Sequence, residues 1–290
     1  MSATITATAA RAEPKRINPG RNLPAAITVG VGLLTLVATT MLFFPMGFMV
    51  VVGLFGTVGA WEVNRALTRR EFDIPVVPMG LAAMGMPMLA YLVGAEALQL
   101  VTVLALGGLT LWTVLERPRR MAYSVLAGVF MVLWVPFFLS AAMLLYREPS
   151  GQFILLMMLL LVVANDTFGY IFGVLFGKHP MAPKISPKKS WEGFTGSVLG
   201  ASGVGIAAMV LFDEPWWMGI AFGVAIAVTA TAGDFSQSMV KRELQIKDFS
   251  QLLPGHGGVM DRLDSVVFAA PATYGTYLIL KHVAGFGFGS

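Results

Sequence analysis

Asp234-Phe-Ser-Gln-Ser-Met-Val-Lys-Arg-Glu-Leu-Gln-Ile-Lys-Asp-Phe-Ser-Gln-Leu-Leu-Pro-Gly-His-Gly-Gly-Val-Met-Asp-Arg-Leu-Asp264 is a densely charged stretch set between two long apolar runs. Its first half has helical spacing: Asp234, Ser238 and Lys241 stand at i, i+4 and i+7, so they share one face, with Arg242 beside them. That face offers a carboxylate for a metal, a hydroxyl and two cations for phosphates. The helix is expected to end before Pro254, because proline disfavours the helical conformation in the residue ahead of it. Gly255, Gly257 and Gly258 then allow a tight turn and a close approach of backbone to ligand. Asp261 and Asp264 are three apart and share a face if a helix restarts there. Asp234, Asp261 and Asp264 are therefore candidate ligands for a divalent metal, and Lys241, Arg242, Lys247 and Arg262 candidate partners for phosphate oxygens. Asp248 adds a further acid, as metal ligand or supporting group. His256, flanked by glycines, is suited to donate to a phosphate or to order the loop.

Outward from this stretch, the chain is membrane-like. Of its 290 residues 56% are hydrophobic and only 12% are charged, about half the charge fraction of a soluble domain. The absence of cysteine excludes disulfides, thiolate metal sites and cysteine nucleophiles. A spanning helix needs about 20 mostly apolar residues. Nine candidates lie near 23–43, 46–63, 76–94, 97–115, 122–146, 153–177, 193–212, 217–240 and 265–282. The first two are separated only by a short turn at Phe44-Pro45, and Pro136 is expected to kink the fifth. The expected fold is thus all-α and polytopic, with about nine spans. The regions are a basic tail at 1–22, a transmembrane scaffold at 23–146, and a catalytic part at 147–290 with loops at 178–192 and 241–264. With the N-terminus in the cytoplasm, all but Arg147 and Lys281 of the 20 Lys and Arg residues fall on the inner side, as the positive-inside rule requires. The opening stretch then faces the cytoplasm.

Residues 23–146 read as scaffold. Glu62 is expected to end the second span and to pair with a nearby arginine. The sixth span ends differently, with Asn165-Asp166-Thr167. A carboxylate within a span costs about 2.5–3.5 kcal/mol on insertion scales, so Asp166 should face water or the protein interior. It is either a cavity wall that helps to hold substrate or metal, or one half of a buried pair with a lysine of the next loop. That loop carries Pro180, Pro183 and Pro187, which should make it extended and stiff. Its Lys178, Lys184, Lys188 and Lys189 form a natural phosphate-binding surface, with His179 as a further candidate.

Two blocks carry a family resemblance. The first runs from Ser238 through Lys241-Arg242 and Lys247-Asp248 to Leu253-Pro254-Gly255-His256-Gly257-Gly258-Val259-Met260-Asp261-Arg262-Leu263-Asp264. It resembles the signature of the phosphatidate cytidylyltransferases, the CDP-diacylglycerol synthases, with no departure. The second, Ser186-Pro187-Lys188-Lys189-Ser190-Trp191-Glu192-Gly193, resembles another block of that family. The resemblance implies an integral membrane enzyme that joins CTP to phosphatidic acid, releases pyrophosphate, requires Mg²⁺ and has room for a second cation, K⁺. It also implies a homodimer, and no nucleic acid as partner. The readings that compete with it are a CTP-dependent lipid kinase acting on a polyprenol or phytol, and an ion-coupled transporter built around Asp166. The transporter reading leaves the charged stretch without a purpose.

Overall fold

A computed structural model describes residues 23–253 and 257–284. The tail at 1–22, residues 254–256 with Gly255 and His256, and residues 285–290 lie outside the described residues. The described chain is a bundle of apolar helices. α1 (Leu23–Phe43) and α2 (Pro45–Thr68) meet at Phe44, with Pro45 in the first turn of α2, where its missing N–H costs nothing. α3 (Val76–Leu92) and α4 (Ala95–Glu116) are joined through Gly94 at φ 119°, a conformation open to glycine. The fifth span is α5 (Met121–Val132), a π-helical segment (Leu133–Phe137) and α6 (Phe138–Arg147). Pro136 falls in that π-helical segment. The irregularity expected at Pro136 is thus taken up as a wide turn within a continuous span.

α7 (Gly151–Phe176) leads into a hairpin of β1 (Pro180–Ala182) and β2 (Ser186–Ser190), which pair antiparallel with Pro180 opposite Ser190. The loop read as merely extended is therefore ordered as a small sheet. α8 (Trp191–Leu211), α9 (Trp216–Glu243) and α10 (Met260–Ala284) complete the chain. Among the described residues, seven helical segments are long and apolar enough to cross a membrane, and two apolar helices are shorter. All nine coincide with the spans expected from hydropathy. The protein is an all-α, polytopic membrane protein with, among the described residues, one small hairpin.

Two kinds of packing build it. In the first half, α2, α3 and the α5–α6 span enclose large side chains, with Val63, Met86, Trp134, Val135 and Leu145 at most 2% exposed. In the second half, helices meet through small residues. A Cβ on Gly205 would run into the carbonyl oxygen of Gly219, so α8 and α9 touch backbone to backbone. α10 packs on α9, α6 and α2, and so joins the two halves.

Candidate active site

A cavity of about 350 Å³ opens between α7, β2, α8 and α9. Asp166 reaches it from α7, Lys188 and Lys189 from β2, and Asp234 from α9. Four of the residues singled out in the sequence thus share one space. Lys189 pairs with Asp234 rather than with Asp166, and its ammonium also lies 5.0 Å from the ring of Phe235. Asp166 accepts instead from the Asn165 side-chain amide at 2.9 Å. Among the described residues Asp166 thus forms no ion pair with a lysine of the next loop, and Lys189 is committed to a different helix.

The hairpin is held over this cavity by the first turn of α8. Ser190 caps the helix, its Oγ accepting from the Gly193 amide at 3.1 Å. Glu192 accepts from the backbone amides of Lys178 (3.1 Å) and His179 (3.2 Å), and meets His179 Nδ1 at 2.6 Å. His179, considered above for phosphate binding, is thus engaged with a carboxylate and helps to lock the hairpin. Gly193 lets α8 cross α7 closely: a Cβ there would stand 3.0 Å from the Gly169 carbonyl oxygen.

The second cluster lies at the adjoining ends of α9 and α10. α9 runs to Glu243, so Asp234, Ser238 and Lys241 do share a helical face. α10 restarts at Met260 and puts Asp261 and Asp264 in its first turns. The loop between them is shorter than the expected 241–264. Lys241 Nζ donates to Asp261 Oδ1 at 3.0 Å. Asp261 Oδ2 accepts from the amides of Phe249 (3.1 Å) and Gly258 (3.0 Å). Gly257 turns the chain at φ 83°, and Leu253 and Gly257 exchange backbone hydrogen bonds. Gln237 on α9 donates to the Met260 carbonyl at 2.7 Å. Asp264 accepts from the Ser265 amide at 2.8 Å, and its backbone carbonyl packs against Gly233, next to Asp234. Asp234 and Asp166 both lie close enough to act electrostatically on Asp264. Arg242, Lys247, Asp248 and Arg262 are exposed. Each of the three aspartates expected to bind metal has a partner of its own. Among the described residues no three acidic or histidine side chains stand together as a ready-made ligand set.

Glu62 is the residue that sequence reasoning misjudged. It does not end α2, which continues to Thr68, and it pairs with no arginine among the described residues. It is fully buried and accepts from Ser250 Oγ (2.5 Å), the Val259 amide (3.0 Å) and the Met260 amide (2.8 Å). Arg65, one of the nearby arginines, lies over the ring of Trp61 instead. A carboxylate inside an apolar run was the available signal, but its partners are nearly two hundred residues away, beyond any helical spacing.

Residues 24–280 match the profile of the cytidylyltransferase family. The chain belongs to that family. It is 38% identical over 274 residues to a phosphatidate cytidylyltransferase of Mycobacterium tuberculosis, covering 88% of this chain and 82% of that one. To the Mycobacterium leprae protein of the same name it is 38% identical over 271 residues, covering 87% and 86%. To that of Haemophilus influenzae it is 31% identical over 258 residues, covering 79% and 89%. This cytidylyltransferase-family member is thus a nucleotidyltransferase embedded in a membrane. Its charged residues gather where two helix ends, a hairpin and a cavity adjoin. An enzyme that brings polyanions together needs such a place, because fixed cations and dipoles there do not have to reorganise during reaction.

Proposed function

We propose that the protein transfers the cytidylyl group of CTP to phosphatidic acid, forming CDP-diacylglycerol and pyrophosphate in phospholipid biosynthesis. The observation that carries this reading is the cavity in which Lys188 and Lys189 face Asp166 and Asp234, next to the Lys241–Asp261 cluster. Its cations suit phosphate groups and its carboxylates suit a hard metal ion. The names of the relatives support the choice of substrates.

The chemistry is a displacement at phosphorus. A phosphate oxygen of phosphatidate bonds to the α-phosphorus of CTP, and the bond from that phosphorus to the bridging oxygen of the β-phosphate breaks. Pyrophosphate leaves with the electron pair, in line with the attack. The attacking phosphate is already ionised near neutral pH, so no strong general base is required. Lys188 and Lys189 bind the triphosphate, and Lys189 exchanges its Asp234 partner for a phosphate oxygen. Lys241, Arg242, Lys247 and Arg262 neutralise charge along the α9 end and the start of α10. Ser238 would offer its hydroxyl to a phosphate oxygen, whereas the Gly257 and Gly258 amides are already bonded to Leu253 and Asp261 and serve the turn instead. Lipid tails stay among the helices' lipid neighbours, and the headgroup enters from the side.

The carboxylates fit Mg²⁺, which takes one or two of them and completes its shell with water and substrate phosphate. Asp234 and Asp264 would hold it, with Asp166 close by. Asp261, the third expected ligand, contributes only if an oxygen remains available beside Lys241 and the two amides. The ion supplies neutralisation of charge on the reacting phosphates. A second cation, K⁺, would find oxygen donors at the same carboxylates. The site is assigned to the cytoplasmic face of the cell membrane, where CTP is found and where the basic loops fall.

Purified protein in detergent, with Mg²⁺, phosphatidate and each of the four nucleoside triphosphates in turn, tests the proposal. Pyrophosphate and a CDP-lipid formed with CTP alone are expected. Release of CDP with a new lipid phosphate would make the protein a lipid kinase instead, and no nucleotide-dependent product would end the proposal.

A further inference from the structure

The start of α10 is held by a residue that the reaction does not use. Glu62 belongs to α2, far from the signature blocks in sequence, and is 0% exposed. A buried carboxylate is costly unless its oxygens are satisfied. Here the donors are the Ser250 hydroxyl and the amides of Val259 and Met260. Those two amides lie at the N-terminus of α10, where N–H groups have no partner within the helix and the helix dipole favours negative charge. Glu62 therefore caps α10 from another helix.

The same carboxylate shapes the turn before the helix. A Cβ on Gly258 would stand 2.6 Å from Glu62 Oε2, so only glycine fits while Glu62 keeps its position. Gly258 in turn donates its amide to Asp261, which holds Lys241. One line of contacts thus runs from Glu62 through residues 258–260 to Asp261 and Lys241. Gln237, which holds the Met260 carbonyl from α9, supports the same turn.

We propose that Glu62 is a positioning residue for the nucleotidyl transfer. It sets the start of α10, and with it the Asp261–Lys241 pair, without touching either substrate. The kinetic part of this inference rests on the function proposed above.

Four variants of the full chain in detergent test it: Glu62→Gln, Glu62→Asp, Gly258→Ala and the Glu62→Asp/Gly258→Ala pair. Glu62→Gln keeps the shape of the side chain but turns an acceptor into a donor facing N–H groups. In this variant kcat and kcat/KM for CTP should fall together by about 100-fold, as expected of misplaced groups. Glu62→Asp shortens the side chain by one methylene and makes room for a methyl at position 258. The pair should therefore be at least about tenfold more active than Gly258→Ala alone, a non-additive result. A purely structural role would lower the yield of folded enzyme and leave kcat per folded molecule alone. Wild-type kinetics in folded Glu62→Gln, or effects in the pair that simply multiply, would overturn the proposal. Hydrogen exchange at the Val259 and Met260 amides reads the contact without any activity. It should quicken by about tenfold or more in Glu62→Gln, and unchanged exchange also overturns the proposal. A wild-type protein that makes no CTP-dependent product overturns the proposed function instead, and leaves the contact to be judged by exchange.

Discussion

Two lysine–aspartate pairs lie within the candidate site, and they are built differently. Lys189 and Asp234 line an open cavity, with side chains 31% and 33% exposed. Lys241 and Asp261 are 17% and 4% exposed, and Asp261 is further bound by two backbone amides. The first pair joins a hairpin to a helix and can part when a stronger partner arrives. The second is woven into the turn that starts α10. A partly exposed pair contributes about 0–1 kcal/mol to stability. Removing one partner of a buried pair costs about 3–5 kcal/mol, because the other is left unpaired. The same two residue types therefore serve exchange in one place and architecture in the other.

Asp261→Ala gives the sharpest break. Lys241 loses its partner and the Phe249 and Gly258 amides lose their acceptor. Activity should fall by about 1,000-fold or more, with stability lower by about 3–5 kcal/mol, seen in pyrophosphate release and denaturant unfolding. Near wild-type release would show that the turn does not matter to the chemistry. Asp234→Asn separates the two pairs. It should lower kcat by about 100-fold or more while unfolding shifts by less than about 1 kcal/mol. A large loss of stability would mean that the cavity pair is architectural after all.

Lys189→Met comes next. Loss of one charged phosphate contact should raise KM for CTP by about tenfold or more, with little change in unfolding. Smallest is Glu148→Gln, at the opposite ends of the helices. Burial pushes the Glu148 carboxyl up, but hydrogen bonds from Lys281 (2.7 Å) and Tyr277 (2.8 Å) outweigh it and hold it below its ordinary value of 4.5. A depressed carboxylate adds stability that is present above that ordinary value and lost as pH falls through the folded one. The wild type should therefore lose stability on acidification below about pH 4.5 more steeply than Glu148→Gln, read from thermal midpoints. Activity at neutral pH should stay within about twofold, as expected of a surface change away from the site.

The fold was legible because hydrophobic length is a local signal. Among the described residues the nine apolar runs became nine apolar helical spans, and Pro45 and Pro136 marked a junction and an irregularity where each stands. The helical face of Asp234, Ser238 and Lys241 was legible for the same reason. The loop at 178–192 was read as extended, and it is; that its two halves pair, with Glu192 reaching back to Lys178 and His179, was beyond local spacing. Lys189 was a visible cation whose partner depended on how α9 lies beside β2. Glu62 was misread because an arginine three residues away is an obvious partner, whereas the real donors come from the other end of the chain. Spacing reports what shares a helix; it says nothing of which helices meet.

Depth follows from the cavity's placement. Asp166 lies about 15 Å along α7 from its end at Phe176, and Asp234 about 14 Å along α9 from its end at Glu243, at ~1.5 Å per residue. The floor of this pit thus lies about two and a half helical turns in from the ends of α7 and α9. In the proposed reaction an amphiphile would present its phosphate there with its chains still among the apolar helices. In the proposed reaction the water-soluble reactant is the one that would reach inward, past the hairpin that lines the cavity.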